Sequence, residues 1–161
     1  SNVSENGNTS FSKDGHKLFF GTAAIQPAKD TTLVDFELAR LDIWHYNDDY
    51  LQPQQLKQLN QELKRTYLAV IKPGANEMVQ LGDENTENIL LVNEGNADWV
   101  LGISTKGNRI ARQWEGRSKF TAYIININTA ERTGIKNNRY GNYVASPMGK
   151  YVYWYDPSRK H

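Results

Sequence analysis

An internal repeat with an offset of 54 residues constrains the fold of this chain more than any other feature of the sequence. The offset aligns the apolar residues 69–71 with residues 123–125, and it also aligns Gly95 with Gly149. In both copies the apolar segment is followed by a polar turn and a second strand, which predicts two equivalent hairpins. A repeat of about 50 residues that holds several short strands indicates a repeated β-sheet architecture.

A glycine turn that leads into an apolar strand recurs at both ends of the chain. Residues 11–21 contain Ser-Lys-Asp-Gly before Leu18-Phe19-Phe20, and residues 145–154 contain Ser-Pro-Met-Gly before Tyr-Val-Tyr-Trp. A third copy at residues 91–101 keeps the glycine at Gly95 but lacks the serine. These patterns predict three copies of a turn followed by a strand.

Most of the remaining segments predict strands, and one predicts a helix. Polar and apolar residues alternate over residues 34–44, and a short strand is expected at residues 110–114. Residues 52–65 have a proline near the start, no glycine, and leucines at helical spacing. Gly15 and Gly95 are 80 residues apart rather than 54, so we interpret the helix as an insertion within one repeat.

We therefore predict an all-β fold, a partial β-propeller of about two to three four-stranded antiparallel blades with one short helical insertion at residues 52–65. Residues 11–161 would form this domain. Residues 1–10 are expected to be a flexible lead-in, with Ser1-Asn2 as the remnant of a tag. A closed ring takes about four to eight blades, so this chain would not close one alone. Its open strand edges predict self-association unless they are covered.

Composition excludes several classes of function. The formal net charge of +1 gives no global attraction to nucleic acid or to an anionic membrane, and no nucleic-acid partner is predicted. No apolar run reaches the roughly 18 residues of a membrane-spanning helix, so no membrane span is expected. The 161 residues contain no cysteine, which excludes disulfides and thiolate nucleophiles and leaves the compartment open. No cofactor is predicted.

Three stretches carry a family resemblance. These are the unit Phe-Ser-x-Asp-Gly-x-x-Leu-x-Phe from Phe11, the segment Leu-Asp-Ile-Trp followed by Asp-Asp and Leu-Gln-Pro-Gln-Gln at residues 41–55, and the turn Ser-Pro-Met-Gly-Lys-Tyr at residues 146–151. Together they resemble the propeller of prolyl oligopeptidase-type serine peptidases, including dipeptidyl peptidase-like members. Met148 departs from the aspartate that usually precedes the turn glycine.

This resemblance implies a non-catalytic role. In that family the propeller covers an α/β-hydrolase domain and restricts the access of peptide substrates, while the hydrolase domain supplies the catalytic residues. The implied partners are that hydrolase domain and a peptide substrate. The alternative is a TolB-like propeller that binds a protein or a glycan and has no enzyme attached. A Gly-x-Ser-x-Gly motif elsewhere in the same reading frame would distinguish the two.

The catalytic and metal candidates each have a simpler structural interpretation. Ser104 lies in Gly-Ile-Ser-Thr-Lys-Gly, one residue longer than a nucleophile elbow, and is expected at the end of a strand. His45 with Asp48 and Asp49 could supply one imidazole and two carboxylates, but the aspartates are expected to cap a turn or the helix. Residues 35 and 37 are acidic and belong to an alternating strand pattern. We predict no catalytic and no metal-binding residue.

Basic residues gather between two predicted strands. Lys106, Arg109, Arg112, Arg117 and Lys119 surround Trp114. Interleaved arginine and aromatic residues can contact nucleic acid, but they also suit a domain or subunit interface. We assign Arg109, Arg112, Trp114 and Arg117 to such an interface.

Overall fold

The computed structural model describes residues 2–25, 27–28, 32 and 41–157. Over these residues the chain forms mostly antiparallel strands with few helices, and the predicted all-β class is confirmed. The strands belong to three separate sheets, which we call sheet 1, sheet 2 and sheet 3 in chain order. The predicted strand at residues 34–44 lies mainly outside the described residues.

Sheet 1 has five strands in four positions. The strands are β1 (Asn2–Val3), β2 (Ser10–Phe11), β3 (Leu18–Ala23), β4 (Tyr67–Ile71) and β5 (Val79–Gln80). Both β1 and β2 pair antiparallel with β3, β1 at its end and β2 at its start, so they act as one interrupted edge strand. The order then continues through β4 to β5.

The start of the chain differs from the untethered lead-in that its polar composition predicts. Asn2–Val3 pair with Thr22 and Ala23, and the Ser4 amide donates to the Gly21 carbonyl at 2.9 Å. Gly7 allows this segment to lie against Gly21, because a Cβ on Gly7 would stand 2.5 Å from the Gly21 Cα. Backbone hydrogen bonds to a free strand edge can hold a segment that has little apolar surface.

Sheet 2 repeats this order, and sheet 3 contains the equivalent of its first two positions. Sheet 2 is a four-stranded antiparallel meander of β6 (Asn88–Leu90), β7 (Trp99–Ser104), β8 (Phe120–Asn126) and β9 (Arg132–Arg139). Sheet 3 is the antiparallel pair β10 (Asn142–Ala145) and β11 (Val152–Tyr155). The two predicted hairpins are confirmed as β4–β5 and β8–β9.

The three predicted glycine turns have closely similar hydrogen bonds. In the first, the Gly15 amide donates to the Ser12 carbonyl at 2.9 Å; in the second, the Gly95 amide donates to the Val92 carbonyl at 3.0 Å. In the third, the Gly149 amide donates to the Ser146 carbonyl at 2.8 Å. The turn glycines have φ of 73°, 85° and 68°, the left-handed region in which side chains are disfavoured.

The predicted helix is confirmed as α1, which spans Gln52–Leu63 and has a proline in its first turn. It lies in the long connection between β3 and β4, as predicted for an insertion within one repeat. Its residue at the N-cap is Leu51, with no side-chain cap, so neither aspartate caps the helix. The three leucines of its apolar stripe are about half exposed: Leu56, Leu59 and Leu63.

Two connecting segments lack the predicted strand where the structure describes them. Leu41–Trp44, the described end of the predicted strand at residues 34–44, forms no strand, and its apolar side chains are exposed. Residues 110–114 lead into the single-turn helix α2 (Arg112–Glu115) instead of a strand. Gly116, with φ of 67°, terminates this turn in the left-handed conformation that commonly ends a helix.

Sheet 2 packs against an apolar cluster on each of its faces, although its last strand, β9, is mostly exposed. One apolar cluster joins it to sheet 1 and contains Phe19, Val70, Val100 and Ile125, all almost fully buried. A second cluster joins it to sheet 3 and contains Val92, Leu101, Ala122 and Tyr143. Neighbouring residues of β7, Val100 and Leu101, therefore point to different sheets, as the period of two in a strand requires.

Tyr143 offers a test of the second cluster. Its ring stacks on Trp154 with centroids 5.9 Å apart, but its buried hydroxyl has no hydrogen-bond partner among the described residues. Burial raises the pKa of this phenol, with a further contribution from the charge of Asp156. Tyr143→Phe should raise the free energy of unfolding by about 1 kcal/mol, because it removes an unsatisfied polar group. A loss of stability in chemical denaturation would show that the hydroxyl is bonded.

Candidate interaction surface

The four residues predicted to form an interface lie in one connection, between β7 and β8, but they have different environments. Arg109 is mostly buried against the insertion, whereas Arg112, Trp114 and Arg117 are exposed on and beside α2. The structure therefore divides the predicted set into one structural arginine and three surface residues. We call Arg112, Trp114 and Arg117 the α2 surface.

Arg109 connects the insertion to sheet 2. Its guanidinium pairs with Glu87 and with Asp49, the latter at 3.4 Å, and its Nε donates to Thr105 Oγ1 at 3.1 Å. The guanidinium carbon also stands 4.7 Å from the centre of the Tyr50 ring. The Arg109 side chain is 14% exposed, which leaves little of it available to a partner. The prediction that Arg109 is an interface residue is not supported by this position.

Arg65 and Asp49 complete the same network. Arg65 donates to Glu87 Oε2 at 2.9 Å and also pairs with Glu62 of α1. Asp49 accepts from the Gly107 amide at 2.9 Å, so this aspartate holds the turn after β7. Sequence reasoning missed Glu87 and Arg65, because their partners are distant along the chain and nothing in the local pattern indicates the pairing.

Removing the Arg109 guanidinium should loosen the insertion. Arg109→Met would leave Asp49 without its cation and the mostly buried Glu87 with Arg65 alone. We expect a loss of about 2 kcal/mol in unfolding free energy, together with faster amide exchange over residues 45–66. The matched control is Arg112→Met, whose exposed side chain should change stability by less than about 0.5 kcal/mol. Equal amide exchange in the two variants would contradict the bridging role.

An open groove lies beside α2. Its volume is about 820 Å³, and its walls come from sheet 2, the connection after β7, the end of β11 and the insertion. Arg112 and Arg117 line one wall, Arg65 another, and Phe120 and Tyr140 add aromatic surface. Glu87 is the only acidic residue among the described residues that line it, and its charge is compensated by two arginines. The groove is therefore positively charged.

The side chains of the α2 surface are exposed, and its two arginines have no partner within the described part of the chain. Neither Arg112 nor Arg117 forms a side-chain hydrogen bond or ion pair with the residues that the structure describes. Trp114 is 71% exposed. Arginine and tryptophan are enriched in the centres of protein interfaces. These three residues suit a contact with another protein surface.

Glu115 fixes the orientation of α2. The Tyr140 hydroxyl donates to Glu115 Oε2 at 2.7 Å, and Lys119 Nζ donates to Oε1 at 3.3 Å. The hydrogen bond from Tyr140 holds the pKa of Glu115 below its usual value and raises the pKa of Tyr140. Because the carboxyl pKa is lowered in the folded chain, this contribution is present above the ordinary glutamate pKa and is lost as the pH falls through the lowered one.

The catalytic and metal candidates do not assemble. Ser104 ends β7, is 6% exposed, and accepts from the Lys106 amide at 3.2 Å; within the described part of the chain no histidine bonds to it. His45 lies 3.9 Å from Asp48, and its imidazole accepts from the Asn47 amide. Among the described residues there is no group of three or more histidine or acidic side chains that could hold a metal ion.

Comparisons of the chain with models of known protein families, with curated protein sequences and with solved structures find no match. Within its described residues, no helix has both the length and the apolar character needed to cross a membrane.

Proposed function

We propose that this chain forms consecutive blades of a β-propeller. The observation that carries the proposal is that sheets 1 and 2 share one strand order, that sheet 3 contains its first pair, and that neighbouring sheets pack face to face through equivalent glycine turns. In the first contact, a Cβ on Gly95 would stand 2.8 Å from the Phe19 ring; in the second, Trp99 Nε1 donates to the Gly149 carbonyl at 3.2 Å. Phe19 and Trp99 occupy the same position relative to their own turns. Face-to-face packing of four-stranded antiparallel sheets is the arrangement of propeller blades.

The proposed role of these blades is that of the non-catalytic part of a prolyl oligopeptidase-type serine peptidase, in which they shape the access of peptides to a hydrolase domain. The sequence resemblance supports this assignment. The α2 surface is the proposed docking site for that hydrolase domain, because it combines an exposed tryptophan with two arginines that have no partner within the described residues.

The test is the whole product of the reading frame that encodes this chain. It should contain a Gly-x-Ser-x-Gly motif followed by Asp and His, and should cleave chromogenic peptides with proline before the scissile bond. The absence of these catalytic residues would exclude the peptidase role and favour the TolB-like binding module. The present chain alone should give no turnover above background, and turnover lost in Ser104→Ala would overturn the proposal.

The docking surface can be tested in the same full-length protein. Arg112→Glu combined with Arg117→Glu should reverse the charge of the surface and increase protease cleavage between propeller and hydrolase domain. Lys72→Glu is the matched control, since Lys72 is an exposed cation in the β4–β5 turn. Equal cleavage in the two variants would show that the α2 surface does not contact the hydrolase domain.

A further inference from the structure

Each contact between neighbouring sheets combines two parts. One sheet supplies an aromatic residue four positions after its turn glycine, Phe19 or Trp99, and the next sheet supplies the turn glycine itself, Gly95 or Gly149. The aromatic face of one sheet therefore packs against the glycine turn of the next. This direction is the same in both contacts.

Sheet 3 carries the aromatic part of a third contact. The 54-residue offset places Tyr151, Tyr153 and Tyr155 at the positions of Ala97, Trp99 and Leu101. Leu101 is fully buried against sheet 3, and Ala97 and Trp99 pack in the same cluster.

The three tyrosines, in contrast, are 71%, 56% and 58% exposed. Tyr153 and Tyr155 alternate along β11 with Val152 and Trp154, which pack on the cluster that joins sheet 3 to sheet 2, so the two tyrosines lie on the opposite face of sheet 3. Tyr151 directly precedes the strand at the aligned position. A group of exposed aromatic side chains on one sheet face is typical of an interaction surface.

Gly15, the turn glycine of sheet 1, has no other sheet packed against it among the described residues. A Cβ on Gly15 would meet no described atom within 4 Å, unlike a Cβ on Gly95 or Gly149. This raises the question whether a second copy of the chain covers the tyrosines with its Gly15 turn. The outer face of β3 argues against it, since Phe20 and Thr22 on that face are already 7% and 1% exposed. This face is therefore already covered within the chain, and a second copy would have to displace what covers it.

We infer that the Tyr151–Tyr153–Tyr155 face is the docking surface for a further antiparallel sheet of the same repeat, whose turn glycine packs on Tyr153. The inference rests on the proposed propeller arrangement and is independent of the peptidase role. Continuity with the two existing contacts determines both the kind of partner and its orientation. Each tyrosine has enough area to contribute strongly to such a contact.

The chain itself gives the first test. Because Tyr153 is exposed, Tyr153→Ser should leave the thermal midpoint nearly unchanged, whereas Trp99→Ser at the equivalent position should lower it by about 10 °C. Equal losses would show that the tyrosine face is already covered, and would overturn the inference.

The second test supplies a further sheet. The chain is lengthened after Pro157 by a second copy of residues 104–157, which completes sheet 3 and adds another glycine turn in register. Nitration by tetranitromethane, followed by peptide mass spectrometry, should slow about fivefold at Tyr153. Tyr46, which is 88% exposed, serves as the internal reference.

Two controls identify the occupant. In the lengthened chain, Gly149→Val in the added copy alone should restore the nitration of Tyr153, because the valine side chain prevents the turn from approaching the ring. Unchanged nitration in a cooperatively folded lengthened chain would contradict the inference. Protection of Tyr153 in the original chain at high concentration would identify a second copy as the occupant and would also contradict it.

Discussion

Gly95→Ala should lower the free energy of unfolding by about 3 kcal/mol, because the new Cβ is disfavoured for two separate reasons. Gly95 has φ of 85°, where an alanine is strained. The Cβ would also stand 2.8 Å from Phe19 Cε2 and 3.2 Å from the Ser12 Cα, which is a backbone atom that cannot easily move away. The expected loss is therefore larger than strain alone would cause.

Gly15→Ala is the matched control for this prediction. Gly15 has φ of 73° and a similar turn, but a Cβ there would meet no described atom within 4 Å. Only the backbone strain remains at Gly15, so we expect the free energy of unfolding to fall by about 1 kcal/mol. Chemical denaturation of both variants measures the difference. In a Phe19→Leu background the loss from Gly95→Ala should shrink toward that of the control, and a constant difference would show that the ring is not the obstacle.

Lys17→Met should also destabilise the chain, by about 3 kcal/mol. Lys17 is 5% exposed, and its ammonium donates to the carbonyls of Gly95, Asn96 and Ala97 at 3.4, 2.7 and 3.0 Å. The ammonium of the first turn thereby satisfies three backbone carbonyls of the second. Methionine fills the space of the side chain but donates nothing, so these carbonyls would lose the partner that the ammonium provides in a partly buried site.

The control for this variant is Lys13→Met, because Lys13 belongs to the same turn and also contacts the second turn, but its side chain is exposed. Lys13 pairs with Glu94 at 2.7 Å, and both side chains are about two-thirds exposed. An exposed ion pair contributes between about 0 and 1 kcal/mol, so the loss should be small. If both lysine variants lost the same free energy, the buried ammonium would not be what joins the two turns.

The sequence predicted the repeated elements because local residue types determine them. Glycines at left-handed positions specify the turns, alternating apolar residues specify the hairpins, and Pro53 with three spaced leucines specifies α1. The offset of 54 residues then relates the strands of one sheet to those of the next, and the 80-residue interval correctly locates the insertion between β3 and β4.

The errors occur where partners are distant or the pattern is short. A run from Ile110 to Trp114 is too brief to distinguish a strand from one helical turn, although Gly116 was a sign of a helix end. The network of Glu87, Arg65 and Arg109 joins residues separated by other strands, which no local pattern indicates. The same local pattern groups Arg109 with Arg112 and Arg117, and only the structure shows that the Arg109 guanidinium pairs with Glu87 and Asp49.

The repeated contact between sheets is tested most directly by the unfolding free energy of Gly149→Ala relative to Gly15→Ala. Gly149 belongs to the third turn, where a Cβ would stand 2.9 Å from Val92 Cγ1 of the second. If the sheets pack through equivalent contacts, Gly149→Ala should lower the free energy of unfolding by about 2 kcal/mol more than Gly15→Ala does. The same difference is expected between Gly95→Ala and Gly15→Ala. Equal losses at Gly149 and Gly15 would contradict this packing.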